Sequence, residues 1–192
     1  MTKIILASAS PQRRNLIKIL GLPVTIIPSK AKEQDSLSHG VVHLVKHNAL
    51  LKAKDVASRL KSGVVIGCDT VVLSHKKRLI LKPKDLKEAK KNLMELMEKP
   101  HWIYSGLAVI DVKTKKVLVD YEKTKLFMTP LSSQAIDTYY KKVSPLDKAG
   151  GFDIEGKGAL FIPRIEGCYF NVVGLPLAKL AQMLEQLNIK LL

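Results

Sequence analysis

The segment Gly63–Ser74, GVVIGCDTVVLS, is apolar on both sides of one carboxylate, Asp69. It reads as a buried strand, and an ionised carboxylate inside such a strand costs several kcal/mol unless it is paired, metal-bound or placed at an exposed strand end. The plain structural alternative is an Asp that opens a turn with help from Thr70. Apolar residues on both flanks weaken that alternative. Asp69 is therefore expected to be a functional carboxylate, as general base or as metal ligand.

The rest of the chain supplies layers for such a strand. A short apolar strand over 3–7 breaks into Ser8-Ala9-Ser10-Pro11, and a helix is expected over about 11–20, with Ser10 as cap and Pro11 at its first position. Gly21 stops it, and PVTIIPS reads as a second strand. A polar loop over 29–38 contains Glu33 and Asp35, and a helix follows over about 39–60 with Val41, Leu44, Val45, Ala49, Lys52, Val56 and Leu60 on one face. Further helices are expected over about 85–98, 132–142 and 175–187. HWIYSGLAVIDV and KVLVDYEKTKLFMT read as strands joined at Lys113–Lys116, and ALFIPRIEGCYFNVVG as another hairpin. Strands alternating with helices, plus hairpins, predict one α/β domain with a mixed sheet over residues 1–192.

A 192-residue chain with 46% hydrophobic residues is long enough for one sizeable core. It contains no apolar run long enough to span a bilayer, and its N-terminus does not read as a signal peptide, so a cytoplasmic protein with no membrane partner is expected. Cys68 and Cys168 form no CxxC pair and read as small buried hydrophobes. The net charge of +15 attracts polyanions or phosphorylated small molecules. Lysines are spread along the chain, however, and aromatics at 5% leave few platforms for stacking bases. A carboxylate in an anion site would repel a phosphate backbone unless a metal intervened, which argues against nucleic acid, but charge alone leaves nucleic acid and nucleotides both open.

Other residues fit phosphate chemistry. Ser8, Ser10 and the pair Arg13-Arg14 gather where a strand hands over to a helix. Lys52, near the apolar face of its helix, either snorkels or meets an anion. Lys82, ahead of Pro83, carries little weight alone. The loop 147–158 mixes Asp147, Lys148, Asp153, Glu155 and Lys157 with four glycines, and leans towards a binding loop over a merely solvated one. His39, His43 and His47 recur every fourth residue. A zinc site is conceivable there, but without HExxH a solvated helix face is the favoured reading. His101 reads as structural.

The blocks LASASPQRR, VIGCDTVV, LKPKD, HWIYSGLAVI, PLDKAGGFDIEG and YFNVVGLPL occur in the order that resembles the Maf family, the septum-formation-inhibitor-like nucleoside triphosphate pyrophosphatases, along nearly the whole chain. The resemblance implies an elongated Maf/ITPase-like α/β fold with two lobes around a cleft, often in a homodimer. It implies hydrolysis of a nucleoside triphosphate to the monophosphate and pyrophosphate, with a divalent cation such as Mg2+ or Mn2+, to clear non-standard or excess nucleotides. Asp69 then matches a proton acceptor that activates water or helps hold the metal, and Glu33 an acidic position near that metal. Ser8, Arg13, Lys52 and Lys82 match phosphate-binding positions; arginine offers a fork and lysine a point charge. The specificity positions correspond to Gln12, Thr70 and Glu155. Thr70 fits the dTTP/UTP type, Glu155 the 7-methyl-GTP type, and Gln12 neither. Hydrolysis of dTTP, UTP or a modified nucleotide is therefore expected. The alternatives are a 7-methyl-GTP pyrophosphatase or a non-catalytic nucleic-acid-binding regulator of cell division.

Overall fold

Residues 2–191 are described by a computed structural model. The chain opens with β1 (Ile4–Leu6), wholly buried, then α1 (Pro11–Ile17), continued by a 3-10 turn over Lys18–Leu20 that ends at left-handed Gly21. Ser10 caps α1 as expected, its side chain accepting from the Arg13 amide. After β2 (Val24–Ile26) comes α2 (Val41–Ala57), with Gly40 before it, and then the ten-residue β3 (Val64–Leu73). The remaining elements are β4 (Leu79–Ile80), α3 (Leu86–Glu98), β5 (His101–Asp111), β6 (Val117–Phe127), α4 (Ser133–Tyr140), β7 (Arg164–Glu166), α5 (Tyr169–Val173) and α6 (Leu177–Glu185).

The strands form one mixed seven-stranded sheet in the order β2-β1-β3-β5-β6-β7, with β4 on the end of β3. β1 runs parallel to both β2 and β3, whereas β4 and β7 pair antiparallel. An α/β class with a mixed sheet and flanking helices is thus what the sequence predicted. None of the helices among the described residues is long and apolar enough to cross a membrane.

Contacts divide the chain into two compact units. The first comprises residues up to Thr70, Ser105–Glu122 and the chain from Gly174 on; the second comprises Val71–Tyr104 and Lys123–Val173. Each has its own core. In the first, Ala49, Ala53 and Val56 of α2 pack on Ile5, Val65 and Ala108 of the sheet. In the second, Leu93 and Leu96 of α3 and Ile136 of α4 pack on Ile80, Ile103 and Leu126.

The hairpin expected over 159–174 is not formed. Only Arg164–Glu166 is a strand, and Tyr169–Val173 is helical. The cause is tertiary: Asn171, fully buried, donates to Ile103 O at 3.1 Å and to Thr124 Oγ1 at 2.9 Å, while Thr124 Oγ1 also bonds the Cys168 backbone. A buried amide needs these partners, and a helical turn brings it to them.

Candidate active site

α2 lies unusually close to the sheet. A Cβ on Gly67 would strike Ala49 O, and one on Gly106 would strike Val45 O, so only glycine admits the helix backbone at these two points. Asp69 follows Gly67 by two residues and projects from the same face of β3. Asn48 and Lys52, one turn apart on α2, therefore meet it.

The contacts are short. Lys52 Nζ lies 2.7 Å from Asp69 Oδ1, 2.8 Å from Glu33 Oε2 and 3.4 Å from Cys68 O, so its three N–H groups are all engaged. Asn48 Nδ2 donates to Asp69 Oδ2 at 3.1 Å and to Gln34 O at 2.9 Å, and Asn48 Oδ1 accepts from Gln34 N at 2.9 Å. Asn48 thus clamps the loop carrying Glu33 onto the carboxylate. Burial pushes the Asp69 carboxyl up, but the Lys52 cation and hydrogen bond, with Arg13 and Asn48, outweigh it and hold the group below the usual carboxylate range. Asp69 is ionised at neutral pH, and the cost expected for a charge in an apolar strand is met by pairing.

A second cluster begins at α1. Arg13 donates from Nε to Gly174 O at 2.8 Å, from Nη1 to Cys68 O at 2.8 Å and from Nη2 to Thr70 Oγ1 at 2.9 Å. Thr70 Oγ1 also lies 2.7 Å from Ser105 Oγ. Cys68 O is therefore shared by Arg13 and Lys52. Burial pushes the Cys68 thiol up, in keeping with an inert small hydrophobe, whereas Cys168 is only half-buried. Ser8 is buried and its Oγ accepts from Ser10 N at 3.2 Å; Gln12 Oε1 accepts from Ser10 Oγ at 3.0 Å. Arg14 is exposed.

The first unit thus brings together Asp69, Lys52, Glu33, Arg13, Thr70, Ser8 and Gln12. Lys82 and Glu155 lie in the second unit, both exposed and both on loops. Glu155 is close enough to Tyr169 that, after burial, its charge helps to raise the Tyr169 phenol. His101 is fully buried, with Nδ1 3.1 Å from Leu96 O, and burial pushes it down to about 4. The rings of His39, His43 and His47 form a row, with centroids 5.1 and 5.7 Å apart, but no group of three or more His, Cys, Asp or Glu among the described residues is arranged to hold a metal. Sequence reasoning missed Asn48, Ser105 and Gly174. Asn48 carried a signal, since it is a polar residue on the apolar α2 face one turn before Lys52.

A mixed seven-stranded sheet with flanking helices defines the α/β fold class. The same fold occurs in the Ham1 protein of Staphylococcus aureus, with a TM-score of 0.55 at 16% identity over 96% of this chain and 99% of that one. A HAM1 protein from Coxiella burnetii gives 0.54 at 14% identity over 97% and 100%. Within that fold the chain belongs to the Maf-like protein family, whose model matches residues 3–187. A relative from Alkaliphilus oremlandii named dTTP/UTP pyrophosphatase is 44% identical over 186 residues, 96% of each chain. One of the same name from Bacillus anthracis is 40% identical over 189 residues, 98% of this chain and 97% of its own.

Proposed function

We infer that the protein hydrolyses nucleoside triphosphates between the α- and β-phosphates, releasing the monophosphate and pyrophosphate. The observation that carries this reading is the buried Asp69 carboxylate, held ionised by Lys52 and Asn48. An ionised carboxylate fixed in this way is suited to accept a proton from an attacking water. Lys52 keeps a cation beside the developing charge, and positioned cations are most of what phosphoryl chemistry asks of a protein. Three of the five N–H groups of Arg13 hold the backbone and Thr70, which leaves its fork free at two positions for a phosphate oxygen. Ser8 adds to the phosphate-binding set of the first unit on this reading, Lys82 is kept as a phosphate-binding candidate of the second, and the chain works as a catalytic domain that clears excess or non-standard nucleotides.

Asp69 and Glu33 offer carboxylate oxygens on one ammonium, a hard donor pair that suits Mg2+ or Mn2+ together with water and substrate oxygens. Bound there, such an ion supplies charge neutralisation for the triphosphate. The relatives' names and Thr70 support dTTP and UTP as substrates. A second reading, 7-methyl-GTP, is favoured by Glu155 beside the exposed ring of Tyr169, since a carboxylate and an aromatic face suit a cationic purine.

The test is a pyrophosphate-release screen over standard and methylated nucleotides with Mg2+ and Mn2+. Asp69→Asn is expected to abolish release in every condition while retaining the wild-type circular dichroism spectrum. Turnover by that variant at the wild-type rate would overturn the assignment.

A further inference from the structure

The outer parts of β5, β6 and β7 carry a surface unrelated to the Asp69 cluster in its chemistry. Alternation along β5 buries His101 and Ile103 and leaves Trp102 and Tyr104 half-exposed. On β6 it buries Thr124 and Leu126 and turns Lys123, Lys125 and Phe127 the other way. Register places Glu166 opposite Lys125 and Arg164 opposite Phe127. Four cation–ring contacts fall on this face. Lys123 and Lys125 stand 5.3 and 5.7 Å from the Trp102 ring, and Lys125 and Arg164 stand 5.2 and 3.7 Å from the Phe127 ring. Glu166, in register with Lys125, bonds Arg164 at 2.9 Å.

We propose that this sheet face binds single-stranded nucleic acid. Aromatics are few and lysines scattered in the linear sequence, but the fold brings the rings of Trp102 and Phe127 together with Lys123, Lys125 and Arg164 on one surface. Alternating rings and cations on an open sheet match the needs of an unpaired strand: faces on which bases stack, and charge along the phosphates. Arg164, exposed and over the Phe127 ring, adds a guanidinium to that platform. A duplex hides its base faces, and so has no use for the rings. A second copy of this +15 chain would meet like charge.

Trp102 is the chain's sole tryptophan, so its fluorescence reports directly on stacking. The full-length protein in EDTA is titrated with a dT oligomer of about 12 nucleotides, within the site sizes of such platforms. The expected result is a saturable quench whose affinity falls with a log–log salt slope of about −2, from three cations at roughly 0.7 each, or about 20-fold between ~50 and ~200 mM salt. Lys125→Gln and Arg164→Gln are each expected to flatten the slope by about 0.7. A matched duplex is expected to quench weakly. Absence of quenching at low salt overturns the proposal, as does a slope unchanged in both variants. Equal quenching by dTTP or UTP alone also overturns it, by assigning the face to mononucleotides. None of these outcomes bears on the pyrophosphatase reading, which rests on Asp69.

Discussion

Lys52→Met probes the centre of the site. Nζ contacts both carboxylates, yet the two differ in surroundings: the Asp69 side chain is 7% exposed and that of Glu33 is 49%. Methionine keeps an unbranched stem in the α2 groove, so packing changes little and the charge is what is lost. Losing the half-exposed Glu33 contact costs about 0–1 kcal/mol. Leaving Asp69 buried without its cation costs about 3–5 kcal/mol, and the lower end is expected because Arg13 and Asn48 still support the carboxylate. The pH dependence reverses sign. In the wild type, Asp69 is held below its unfolded value near ~4, so its contribution is present above that pH and is lost as pH falls through the folded value. In the variant, burial prevails and the folded value rises above ~4, so the deficit is full at neutral pH and shrinks as pH falls through the raised value. Urea unfolding followed by far-UV circular dichroism should give a loss of about 3 kcal/mol near pH 7 and less near about pH 5. Adding Asp69→Asn should recover most of it. A deficit below about 1 kcal/mol, or one unchanged both by pH and by the second substitution, would refute the buried-pair account.

Asn48→Ala removes one bond to an ionised carboxylate and two to the Gln34 backbone; about 2–4 kcal/mol of stability should go, with faster amide exchange at Gln34. Its activity should fall more steeply than its folded fraction, measured by pyrophosphate release against circular dichroism. Gly67→Ala should lower stability by about 1–3 kcal/mol in thermal melts, because the new methyl meets Ala49 O. His101 is held down at about 4 by burial, so the unfolded chain binds its proton first. Stability should fall by up to about 3 kcal/mol as pH drops from ~6.5 towards ~4, and His101→Gln should flatten that slope in pH-resolved urea titrations.

The strand around Asp69 was legible because a carboxylate in an apolar run conflicts with its setting, and the structure answers the conflict with Lys52. The α1 cap was legible because Ser10-Pro11 is local chemistry. So was the turn between β5 and β6, where Asp111 Oδ1 accepts from the amides of Lys113 and Thr114. What escaped reading depends on partners distant in sequence. The segment 159–174 is as apolar as a hairpin, and only the partners of Asn171 select a helix for its end. The bonds Arg13 makes within the fold were not legible, because their acceptors lie 55, 57 and 161 residues away. The contacts of the Thr70 hydroxyl with Arg13 and Ser105 were hidden for the same reason. The cation-and-ring face is invisible in composition, because register across three strands creates it.

Cys68 O accepts from the α1 arginine and the α2 lysine at once. The chain has only two cysteines, so cysteine labelled with carbon-13 at the carbonyl would give a spectrum of two resonances. One of them, from a single backbone oxygen, would register any change at either cation. Nucleotide binding, loss of the Glu33 contact and release of Arg13 would each shift that line in a protein otherwise silent at this position. The strand would thus carry its own probe beside the carboxylate, with no foreign group added.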